Sequence, residues 1–104
     1  MNIADEAKLR TEASRGQRAQ QLLADELLAE AFAILRETYT NAMWCTKVED
    51  SKKRDNIWLM KSNLDAVEGH LKTILETGKM AAKQLETERT RLQKTKEWLS
   101  EVMS

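Results

Sequence analysis

A chain of 104 residues with 33% charged side chains, no proline and three glycines has room for one small domain and a composition that favours helix over strand. Seventeen basic groups balance seventeen acidic ones, so no bulk attraction to nucleic acid or to an anionic membrane follows. A single cysteine excludes an internal disulfide and a thiolate metal cluster, and no apolar run reaches the roughly 18 residues that a membrane span needs.

Residues 1–20 are polar, with apolar positions only at Ile3, Ala7, Leu9 and Ala13 apart from small residues near the end. Met1 to Glu6 is acidic and lacks the apolar stretch of a secretory leader. Ser14-Arg15-Gly16-Gln17-Arg18 is expected to interrupt any helix there. The segment reads as a flexible or partly helical arm, ordered only against a partner.

From Leu22 the helical pattern strengthens. Leu28, Phe32, Leu35, Tyr39 and Ala42 recur at spacings of three and four and fall on one stripe. Asp25 is placed to cap a helix beginning near Glu26 and ending at about Cys45 or Thr46. Lys47-Val48-Glu49-Asp50-Ser51-Lys52 is a short polar connector, a length that normally returns the chain antiparallel.

The second arm carries the most sustained periodicity. Ile57, Leu64, Leu71, Gly78, Leu85, Leu92 and Leu99 form one heptad series, and Met60, Val67, Ile74, Ala81, Glu88, Thr95 and Val102 form its companion. At Gly78 the helix either ends in a glycine cap or continues, at a cost of about 1 kcal/mol relative to alanine. The unbroken phase favours continuity. The predicted fold is all-α: an antiparallel hairpin of two to three helices over residues 21–104, with a long C-terminal helix and coiled-coil-like packing.

Within that hairpin the predicted core is Phe32, Leu35, Tyr39, Trp44, Ile57, Trp58, Leu64 and Leu71. Trp44 and Trp58 flank the connector, and closing the core near the bend is preferred for them over an exposed aromatic patch. The second arm outruns its partner, so Leu85, Leu92, Trp98, Leu99 and Val102 are the predicted interface with another chain.

No catalytic or metal-binding constellation emerges. His70 has no cysteine nearby and no histidine at helical spacing, and no motif supplies Cys45 with a base. Phosphate-binding glycine loops and triad motifs are absent from the sequence, so neither cofactor nor small-molecule substrate is expected. Lys52, Lys53, Arg54, Arg89 and Arg91 are the candidate nucleic-acid contacts, although Glu86, Glu88, Glu97 and Glu101 interleave with the last group and favour a solvated, ion-paired face. Charge is uneven: residues 21–46 carry four acidic groups and one basic, while residues 79–104 carry six basic and four acidic. Such asymmetry offers a way for subunits to align.

Glu30-Ala31-Phe32, Trp44 with Thr46, Arg54-Asp55, Trp58-Leu59-Met60, His70-Leu71 and Glu76-Thr77-Gly78-Lys79 together resemble short uncharacterised helical proteins of tailed bacteriophages and prophages. The likeness covers about residues 22–85. It implies genome packaging, head assembly or a minor virion role, with the host cytoplasm or the virion as the location. Small terminase subunits are similar in having a helical hairpin as their oligomerisation core. This chain departs from them in lacking a recognisable helix-turn-helix unit within residues 1–25. The expectation is a non-enzymatic, oligomeric phage component whose partners are its own copies or other phage proteins, with DNA a weaker candidate and no membrane contact. The alternative is a coiled-coil module that adapts or inhibits a host protein.

Overall fold

The computed structural model describes residues 1–104. It is all-α, with three helices and no strand: α1 (Ile3–Ala24), α2 (Glu26–Trp44) and α3 (Ser51–Met103). Two compact units divide the chain, one of Ala19–Thr73 and one combining Met1–Arg18 with Ile74–Ser104. The helices α1 and α3 contribute to both.

In the Ala19–Thr73 unit, α2 and the first part of α3 form an antiparallel hairpin. The Asp25 carboxylate accepts a hydrogen bond from the Leu28 backbone N–H at 2.9 Å, which satisfies one of the free donors of the first turn. At the bend, the Arg54 guanidinium donates to the carbonyls of Lys47 (2.8 Å) and Val48 (3.4 Å), so a side chain from α3 ties down the connector. Phe32, Tyr39, Ile57, Leu64 and Leu71 are half-buried along the shared interior.

Three of the predicted core residues stand outside it. Leu35 is 40% exposed, Trp58 55% and Trp44 84%. Successive helical residues turn by about 100°, so a residue's immediate neighbour points elsewhere. The half-buried positions near the bend are taken by Met43 and Ile57. Trp44 and Trp58 each follow one of these and are turned out to solvent.

In the other unit, residues 1–18 of α1 run antiparallel to α3. The expected interruption at Ser14–Arg18 is not present: α1 is helical throughout, and no residue has a positive φ. The expected boundary at residue 20 likewise does not set an arm apart, because residues 1–18 pack with Ile74–Ser104. The cause is a crossing of small residues. A Cβ placed on Gly16 would lie 2.6 Å from the Gly78 Cα, and one placed on Gly78 would lie 2.5 Å from the Gly16 Cα and 2.8 Å from the Glu12 carbonyl oxygen. Only glycine permits backbones this close. Gly78 lies inside one continuous 53-residue helix and terminates nothing.

The buried residues of the whole chain are Gly16, Ala19, Gly78 and Ala81, and no large side chain is fully buried. The accessible surface is 8487 Å², against about 6,000 Å² for a compact monomer of this mass. The chain therefore exposes about 2,500 Å² more than a self-sufficient domain of its size would.

Candidate protein-interaction surfaces

The first surface is the end of α3. The N-terminal ammonium of Met1 lies 3.9 Å from a Glu88 carboxylate oxygen, which marks the level at which α1 begins. Every residue from Arg89 to Ser104 is exposed. At 1.5 Å per residue, α3 projects about 22 Å past Glu88. The heptad series records the change directly. Ile57, Leu64, Leu71 and Leu85 are half-buried and Gly78 is buried, whereas Leu92 is 54% exposed and Leu99 43%. Val102 and Trp98 are also exposed, so four of the five predicted interface residues lie in this projection and Leu85 sits at its covered edge.

The second surface is one flank of the α2–α3 hairpin. The Arg36 guanidinium reaches across to Asp65 at 3.1 Å and Glu68 at 3.0 Å, and Lys72 adds a second cation to Glu68 at 3.0 Å. Hydrogen bonding from Arg36, then from Lys72, holds the Glu68 carboxyl below its ordinary range, and bonding to Glu68 and then Asp65 raises Arg36. This network closes one flank of the hairpin with polar groups. Turning the other way from the shared interior brings Leu35 and Ala31 on α2, and Met60 and Val67 on α3, to the opposite flank. That flank is uncovered: Met60 is 51% exposed and Val67 54%, with Ile34 (53%) and Leu27 (74%) along the outer edge of α2. The composition shows Arg36 as the lone basic group of residues 21–46, but its partners lie 29 and 32 residues away. No local spacing rule could identify them.

The candidate nucleic-acid contacts are dispersed in their roles. Arg54 is engaged by the connector carbonyls, Arg89 pairs with Glu86 at 3.0 Å, and Arg91 pairs with Glu88 at 2.7 Å. Lys52 and Lys53 are exposed and carry no ion pair. Cys45 is a free, exposed thiol in the C-cap of α2, and His70 is exposed on α3. No three His, Cys, Asp or Glu side chains gather in a metal-holding arrangement. No helix is long and apolar enough to cross a membrane. An open groove beside the start of α1, lined by Met1, Asp5, Lys8, Leu9, Met80 and Thr87, brings no nucleophile and base together.

Comparison with protein families, with curated proteins and with solved structures finds no match for this chain.

Proposed function

We propose that this protein acts without catalysis, as a helical assembly component that pairs with further protein chains, its own copies first among them. The setting is the one that the likeness to tailed-phage proteins implies: head assembly, genome packaging or a minor virion role, in the host cytoplasm or the virion. One observation carries the assembly reading: the leucine series of α3 continues in phase onto a projection that no part of the chain covers. The excess accessible surface supports it. An ordinary interface removes about 800 Å² from each partner, so the surplus is enough for more than one contact per copy.

Sedimentation velocity at tens of micromolar tests the reading. A mass of two or more chains, rising with concentration, is the expected result. A strict monomer would remove self-assembly and leave the module acting on a host protein, which capture of one stoichiometric host partner would then establish.

A further inference from the structure

The projecting end of α3 and the open flank of the hairpin have matching chemistry. Resting on the assembly reading above, we infer that they are the two halves of one contact: residues 92–102 of one copy lie along the Leu35–Met60–Val67 flank of the next, completing a three-helix packing there.

Charge decides which partner fits the projection. Placed at 100° per residue, Leu92, Thr95, Leu99 and Val102 form its apolar seam. Arg91, Lys94 and Trp98 fall on one side of that seam and Arg89 and Lys96 on the other. Glu97 and Glu101 fall on the back. Both margins of the seam are therefore basic. Two projections laid against each other, in either direction, bring like charges side by side, which opposes that pairing. Lys94 and Lys96 take part in no ion pair within the chain.

The hairpin flank supplies the complement. Beyond Leu27 and Ile34 the next residues around α2 are Glu30 and Glu37, both exposed and neither in an ion pair. On the α3 side the margin is Asn56, Asn63 and His70, which adds no opposing cluster of charge. One wall of the flank is thus acidic and the floor apolar, which suits a helix with an apolar seam and basic margins. The lengths also match. The seam from Leu92 to Val102 covers about 15 Å, and the α2 edge from Leu27 to Glu37 covers the same. Because the two patches differ, each copy has one of each to offer.

Two charge-reversed variants test the contact. K94E/K96E makes the projection margin acidic, and E30K/E37K makes the flank margin basic. By light scattering each variant alone should self-associate about tenfold more weakly or worse than the unmodified chain. An equimolar mixture should recover association, since each variant's projection then meets an oppositely charged flank on the other. Circular dichroism at equal helicity guards against unfolding. If the unmodified chain assembles but the variants assemble equally well alone, or their folded mixture does not recover, this contact is wrong while the assembly reading stands. If the unmodified chain is monomeric, both are overturned.

Discussion

Gly16 and Gly78 face each other backbone to backbone, each occupying the space where the other's side chain would begin. Both are residues that normally weaken a helix, and here they allow two helices to approach more closely than any other residue pair would permit. Ala19 and Ala81, each three residues farther along its helix, are the chain's other buried positions. The arm that looked too polar to bury itself is held by close backbone approach where large apolar side chains are lacking.

Adding a methyl group at the crossing should therefore reverse the usual effect of replacing a helical glycine. Gly69, where an added methyl group would meet nothing within 4 Å, is the internal control. Gly69→Ala should stabilise by up to about 1 kcal/mol through helix propensity. Gly78→Ala should instead destabilise by about 1–3 kcal/mol, the usual range for overpacking. Urea denaturation followed at 222 nm would compare them, and equal stabilisation by both substitutions would refute the close crossing.

The start of α2 depends on one side chain. Asp25 accepts the Leu28 N–H and adds a negative charge at the positive end of the helix dipole. Asp25→Ala should cost about 1 kcal/mol, whereas Asp25→Asn or Asp25→Ser should cost much less. Thermal melts of the three variants separate capping from a general effect of substitution. Equal losses in all three would show that the cap hydrogen bond is not the cause.

The Arg36 network should leave a signature in pH. Because hydrogen bonds from Arg36 and Lys72 depress the Glu68 carboxyl, its contribution is fully present above the ordinary carboxylate value of 4.5 and is lost as pH falls through the lower folded-state value. The melting temperature of the native chain should exceed that of Glu68→Gln by a constant margin from pH 7 to about 5.5, and the margin should shrink below 4.5. A margin unchanged down to pH 3 would mean that the network contributes no differential protonation. Raised salt should reduce the margin, since the groups are partly exposed.

The tryptophans can report assembly without labels. All three are more than half exposed, so a dilute sample should emit as solvated indole. With Trp44→Phe and Trp58→Phe in place, only Trp98 remains, on the margin of the projecting seam. Its emission should shift to the blue as concentration rises through the association range, and Leu99→Glu should abolish the shift. Emission that stays red while the mass increases would exclude the end of α3 from the interface.

Local chemistry is enough to account for the helical class, the cap at Asp25, the polar connector and the phase of the leucine series through Gly78 to Leu99. Propensity, capping and a period set by backbone geometry act within a few turns, so all four are legible in the order of residues. The overhang of α3 is legible too, because lengths can be read from the chain. Which points on each stripe are covered is a different matter, and it was fixed only when the helices packed. Glycine at 16 looks like a helix break until another glycine is found opposite. Trp44 and Trp58 look like core until Met43 and Ile57, one residue before each, take the half-buried places. Arg36 gains meaning from carboxylates about thirty residues away. Burial is a property of what approaches a helix face, and that is settled by non-local packing that periodicity does not encode.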